Sequence, residues 1–208
     1  MSVIAHGLNR SLPFYLSGPT PCPHLPDRVE RKLFARLTGE TEKNDGINAA
    51  LTRAGFRRSH DIVYRPACNA CTACVPVRIP VVAFRPTRSL RRIAARNRDL
   101  SFEKTDAVFT DEHYELFNLY QHARHPDSDM AHMTPADFTA MVEEGAVDTH
   151  IYELRTPAEG GSKGRLLGCI ITDHVRDGFS AVYSFFHPGE PRRCLGAHLI
   201  LSLVNEAA

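Results

Sequence analysis

Cys68, Cys71 and Cys74 lie at two successive Cys-x-x-Cys spacings, short enough for three thiolates to converge on one ion from a compact loop. Cys22, held between Pro21 and Pro23, is the candidate fourth ligand, which would complete a four-thiolate zinc site or an iron–sulfur cluster. Buried free thiols are the alternative reading of the same spacing. Cys169 falls in an apolar strand pattern and reads as core.

A second cluster of chemistry is cationic. Arg57, Arg58, Arg65, Arg78, Arg85, Arg88, Arg91, Arg92, Arg96 and Arg98 are opposed over that stretch by Asp61 alone, although the whole chain carries a formal net charge of +1. The planar guanidinium fork suits bidentate grip on phosphate oxygens, so the segment points to a polyanion. A solvated basic face without a ligand is the alternative.

A third candidate is the run Arg192-Arg193-Cys194-Leu195-Gly196-Ala197, placed where a strand gives way to a helix. Unpaired amides and the positive end of the helix dipole make such a turn a cradle for phosphate or a developing oxyanion. It resembles the Arg-x-x-Gly-x-Gly/Ala turn of the acetyltransferase-like fold, with His198 at the final small-residue position; an ordinary helix start with two solvated arginines is the alternative. His187 stands just ahead of it, where a neutral imidazole could take a proton from an attacking amine. The other histidines show no ligand-like spacing, and His122, His125 and His132 read as surface or packing residues.

The elements that must position these groups are legible in outline. A Pro-rich coil from Ser17 to Pro23 precedes a predicted helix in which Asp27 and Glu30 form a capping-box-like pair and Val29, Leu33, Phe34 and Leu37 recur before Gly39. A short helix is expected from Gly46 to Ala54, stopped by Gly55. Short strands are expected at Ile62–Tyr64 and Val75–Ile79, flanking the cysteines. Thr87 to Arg98 reads as a helix with Leu90, Ile93 and Ala94 inward and its arginines outward. Further on, helices are expected behind Thr110 (Asp111–His122) and behind Thr134, from Pro135 to Gly145. Strands Thr149–Leu154, Leu166–His174 and Phe179–Phe186 should form an antiparallel meander, the last two joined through Asp177-Gly178. A basic turn and a final helix, Leu195–Ala207, follow. The reading is α+β in two domains, residues 1–100 basic and cysteine-bearing and 101–208 carrying the meander.

At 208 residues with 43% apolar and 24% charged side chains, the chain can bury a sizeable core and is not of disordered composition. Met1 to Leu16 is broken by His6, Asn9, Arg10 and Pro13, unlike a signal peptide, and no later segment suits a membrane span. A cytoplasmic protein without membrane partners is expected.

Four runs together carry a closer resemblance: Pro21-Cys22-Pro23-His24-Leu25-Pro26, Gly55-Phe56-Arg57-Arg58-Ser59-His60-Asp61, Tyr64 to Cys68 continuing through Cys74-Val75-Pro76-Val77-Arg78, and Tyr183-Ser184-Phe185-Phe186. Over nearly the whole chain the sequence resembles the bacterial aminoacyl-tRNA–protein transferases, within them the aspartate/glutamate leucyltransferases. The resemblance implies an N-terminal cysteine-bearing domain joined to an acetyltransferase-like (GNAT-like) C-terminal domain, here lacking its last part because relatives continue past Ala208. It implies transfer of leucine, or in second place arginine, from aminoacyl-tRNA to an N-terminal Asp or Glu of an acceptor protein, within the N-end rule. No cofactor is needed for transfer.

On that basis Arg57, Arg58, Arg65, Arg88, Arg91 and Arg92 are the candidate tRNA contacts, and Arg192, Arg193, Gly196, His187 and Tyr183 the candidate catalytic set. The family pattern usually has Asp where His187 stands and commonly Ser where Cys194 stands. An acetyl-CoA-dependent N-acetyltransferase and a cysteine-metal RNA-binding module without catalysis are the rival readings.

Overall fold

The structure, a computed structural model, describes residues 12–208 except 40, 159 and 162, with the backbone alone described at 41–43. Of the opening stretch that reads as unlike a signal peptide, residues 1–11 lie outside the described residues. Two compact units emerge, the first reaching to Arg78 and taking in Gly145–Asp148 and Val175–Asp177, the second holding the remainder.

In the first unit, short strands β1 (Tyr15–Leu16), β2 (Thr20–Pro21) and β3 (Val29–Glu30) precede β4 (Lys32–Arg36), α1 (Thr41–Arg53), β5 (Arg57–Ser59) and β6 (Ile62–Pro66). The sheet order is β1-β4-β6-β5, with β2 and β3 paired separately. The helix expected from Asp27 to Leu37 is therefore two strands. Asp27 has φ 56°, a left-handed conformation and not the extended one of a helix N-cap. Burial then alternates, with Ala35 and Leu37 inside and Arg36 exposed; the period is two, not 3.6. Ala35, Leu37, Phe56, Val63 and Val147 form this unit's core.

Helix α1 begins earlier than the sequence suggests and ends where expected, ahead of Gly55 at φ 83°. A Cβ at Gly55 would lie 2.7 Å from Pro76 Cγ. Gly55→Ala is therefore expected to cost about 1–3 kcal/mol in a denaturant titration, through left-handed strain and crowding together. The strand expected at Val75–Ile79 does not form, and those residues are coil and exposed. Pro76 and Pro80 lack the N–H a ladder would need.

The second unit contains α2 (Arg88–Arg96), β7 (Ser101–Asp106), α3 (Asp111–Arg124), α4 (Pro135–Glu143), β8 (Thr149–Arg155), β9 (Leu166–Val175), β10 (Gly178–Phe186) and α5 (Leu195–Glu206). The predicted meander is present, extended at one edge by β7 in the order β10-β9-β8-β7. Strand β7 was not legible: its Glu103, Lys104 and Asp106 mask the alternation, yet Phe102 pairs with Leu154 in an antiparallel ladder. Thr110 caps α3 by accepting from the His113 amide at 3.1 Å, and Thr134 and Asp137 form a capping box on α4.

Two apolar layers clothe this sheet. On one face Ile151, Cys169, Ile171 and Phe185 meet Leu116 and Phe117 of α3 and Phe138 and Val142 of α4. On the other, Tyr152, Leu154, Leu167 and Ile170 meet Leu195, Leu199 and Leu203 of α5. Each such buried Leu, Ile or Phe side chain contributes about 1.5–3 kcal/mol relative to exposure. In α2, Leu90 and Ile93 are half-buried as expected, but Ala94 is exposed.

Candidate functional site

The basic turn joins β10 to the N-terminal end of α5 and is held by hydrogen bonds from the C-terminal end of α2. Cys194 takes φ 52° and ψ 48°, a left-handed step that turns the chain from the 3-10 turn Pro191–Arg193 into α5. The first i to i−4 bond of α5 runs from the His198 amide to the Cys194 carbonyl at 3.1 Å. The amides of Leu195, Gly196 and Ala197 thus precede the ladder, at the positive end of a twelve-residue helix. A Cβ on Gly196 would sit 2.8 Å from Phe186 Cε1, so the glycine lets α5 close on the end of β10.

Arg193 and Arg192 play different parts. The Arg193 guanidinium grips Asp99 with both forks, at 2.9 and 2.8 Å; the hydrogen bond from Arg193 is what holds the Asp99 carboxyl below the usual range. Asn97, 1% exposed, donates through Nδ2 to the Arg193 carbonyl at 2.8 Å and the Ile93 carbonyl at 2.9 Å. The Arg192 carbonyl accepts from Arg96, while the Arg192 side chain is exposed. His198 is buried, and burial first, then the Arg193 charge, lowers its pKa.

His187 stands where expected, at the end of β10, and its amide extends the sheet by donating to the Leu167 carbonyl at 2.9 Å. Its Nδ1 accepts from the Gly189 amide at 3.1 Å. In the neutral ring the proton is then on Nε2, making that nitrogen a donor and not a base. Tyr183 belongs to the α3 face of the sheet and accepts from Gln121 at 2.7 Å. Burial raises its pKa, so its hydroxyl stays protonated. The sheet lies between it and α5.

The candidate nucleic-acid arginines divide between the units. Arg57, Arg58 and Arg65 belong to the first, Arg88, Arg91 and Arg92 to the second. Arg58 is 8% exposed and donates to the His60 carbonyl at 2.8 Å, so it fastens a hairpin turn. Arg65 lies over the Phe56 ring at 5.1 Å. Arg57, Arg88 and Arg92 are exposed, and Arg91 is exposed while donating to the Pro86 carbonyl at 2.7 Å. Thr87 caps α2, and Arg88, Arg92 and Arg96, at i, i+4 and i+8, share one side of it.

Cys22, Cys68 and Cys71 are half-buried free thiols and Cys74 an exposed one. The Cys22 amide bonds the Arg28 carbonyl and the Ala67 amide the Arg31 carbonyl, so both cysteine segments lean on the same stretch. No three of the four sulfurs lie within 4.8 Å of one another, wider than a shared tetrahedral ion demands. As placed, the thiols do not close on a single zinc ion, and no chemistry below runs through a metal or cluster.

Sequence spacing missed a buried charge network. Glu153, 6% exposed, accepts from His113 Nε2 at 2.7 Å and from Arg155 Nε. Arg155 also holds Glu112 with both forks, at 2.9 and 2.6 Å, and the Gly164 carbonyl at 2.9 Å. Burial would raise the Glu153 pKa, but the hydrogen bonds from His113 and Arg155 hold it at about 2. A glutamate amid the apolar alternation of β8 was the available signal. His150 and His174, remote in sequence, meet across β8 and β9 with ring centroids 4.4 Å apart.

The family model described as "Arginine-tRNA-protein transferase, N terminus" matches residues 20–92, and that described as "Arginine-tRNA-protein transferase, C terminus" matches residues 112–208. The chain belongs to this family. Among arginine-tRNA-protein transferase relatives, an "Aspartate/glutamate leucyltransferase" of Phenylobacterium zucineum is 48% identical over 204 residues, covering 97% of this chain and 78% of the relative. A protein of the same name from Nitrobacter hamburgensis is 46% identical, covering 93% and 76%. A third, from Caulobacter vibrioides, is 45% identical, covering 97% and 72%. The basic turn of this transferase chain lies inside the C-terminal match, and α2 straddles the end of the N-terminal one.

Proposed function

We propose that the chain is an aminoacyltransferase that moves leucine from Leu-tRNA to the amino terminus of proteins beginning with Asp or Glu, so marking them for N-end rule degradation. The observation that carries this reading is the similarity through both halves to proteins named for that activity. The geometry supports it: an arginine-bearing helix is hydrogen-bonded to a strand-to-helix turn that presents open amides. The antiparallel sheet followed by that turn also fits the acetyltransferase-like fold.

Phosphates of the acceptor arm lie on the exposed arginines of α2, giving salt-sensitive and largely sequence-independent affinity. The ester-linked aminoacyl end reaches the turn. There the acceptor's α-amine attacks the ester carbonyl carbon, forming the C–N bond; with a pKa near 8 a useful neutral fraction exists at pH 7. The amides of Leu195 to Ala197 and the Arg192 guanidinium stabilise the oxyanion. Collapse breaks the ester C–O bond, and the nitrogen's proton passes to the departing ribose oxygen, with the His187 Nε2–H available as a donor. Arg193, already paired, holds the turn.

The test incubates the purified chain with labelled Leu-tRNA, and separately Arg-tRNA, plus peptides beginning with Asp or Ala. Label is expected from Leu-tRNA on the Asp peptide. Equal label on both peptides defeats the acidic-acceptor claim, and no transfer together with tight acetyl-CoA binding defeats the reading as a whole. Removing Arg88 or Arg92 is expected to flatten the slope of log affinity against log salt by about 1 each.

A further inference from the structure

We infer that Asn97 and Asp99 are positioning residues that lock the basic turn to the end of α2, so that grip on tRNA along the helix and chemistry at the turn share one rigid body. This rests on the transfer reading above.

Two successive residues of the turn are held at three points from one short stretch. The Arg192 carbonyl takes Arg96, the Arg193 carbonyl takes Asn97, and the Arg193 side chain takes Asp99. Asn97 is the C-cap of α2 and is buried, with its own amide on the Ala94 carbonyl. One side-chain NH₂ group therefore bonds the last turn of the arginine helix and the basic turn at once, through the Ile93 and Arg193 carbonyls. A bidentate pair fixes direction as well as distance. The Cys194 thiol reports on the same place: it is exposed, within 3.9 Å of Arg96 Nη1 and of the Pro191 and Arg192 carbonyls.

The consequence is a division of labour. Arg88 and Arg92 bind phosphate, and their loss weakens tRNA affinity. Asp99 and Asn97 touch no substrate, and their loss displaces the oxyanion donors relative to a tRNA that is still bound. A shift of about 1 Å in such a constellation lowers the rate about 100-fold.

The test compares the wild-type chain with Asp99→Asn and Arg193→Lys in two independent measurements. In single-turnover transfer from labelled Leu-tRNA to an Asp-started peptide, both variants are expected to lose about tenfold or more in rate, with half-saturation by tRNA within about twofold of wild type. In iodoacetamide labelling read by mass spectrometry, Cys194 is expected to react several-fold faster in both, while exposed Cys74 reacts unchanged. The double exchange Asp99→Arg with Arg193→Asp should slow Cys194 back toward the wild-type rate. The inference is overturned if Cys194 reactivity is unmoved, or if the loss is entirely in tRNA affinity. Should wild type transfer nothing, the functional reading falls, while Cys194 labelling still decides whether the lock exists. A general loss of folding would show as faster labelling of buried Cys169, and would also overturn the local claim.

Discussion

Replacing Glu153 with alanine is expected to remove about 1–3 kcal/mol of folding stability, because buried His113 loses its carboxylate while Arg155 keeps Glu112 and the Gly164 carbonyl. Urea unfolding followed by circular dichroism measures it, and a loss below about 1 kcal/mol would show that the network is slack. The same carboxylate gives a pH signature. Its pKa falls from an ordinary 4.5 to about 2 in the folded chain, so the unfolded state takes up its proton first as pH drops. Its stabilising contribution is complete above about pH 4.5 and is lost as pH falls through about 2. Glu112, lowered chiefly by its hydrogen bond from Arg155, acts in the same direction. Glu153→Ala should therefore unfold with a shallower acid dependence than wild type.

Arg192→Ala is expected to lower the single-turnover transfer rate about 100- to 1,000-fold, the effect of removing one preorganised oxyanion donor. The side chain is exposed, so little stability should be lost with it, and thermal unfolding serves as the control. Arg192→Lys should fall between, retaining charge without the planar fork. A change of less than about threefold in the alanine variant would pass the oxyanion role to the α5 amides alone. Measuring tRNA affinity beside the rate separates this from a phosphate contact, whose loss would appear in binding and in salt dependence.

The elements that declare themselves by a single strong rule were legible. Thr110, Thr134 with Pro135, and Gly55 mark helix ends by cap chemistry that needs no tertiary partner. The three apolar strands of the meander were legible for the same reason. Asp27 to Leu37 was misread because Asp27 and Glu30 imitate a capping box and Leu33, Phe34 and Leu37 also fit a helical period. Pairing with β1 and β6 decides between the two periods, and that is a long-range fact. Strand β7 escaped because an edge strand carries polar residues that a buried one would not. At the site, the basic turn could be located but Arg192 and Arg193 could not be told apart. The difference lies in Asp99, 94 positions away, whose relevance no local window contains. The cysteine spacing shows proximity along the chain, whereas convergence of sulfurs depends on how the coil around them is laid.

The first unit borrows from far downstream. Val147, 5% exposed, sits in the cluster with Ala35, Leu37, Phe56 and Val63, although that unit's main run ends at Arg78. On the ribosome, roughly 70 further residues must be added before the borrowed valine is made, about 4–14 s at 5–20 residues per second. For that interval the nascent chain carries an unfinished interior, and trigger-type holding factors have a defined span in which to act. Fragments cut at Arg78 for expression would inherit the same gap permanently.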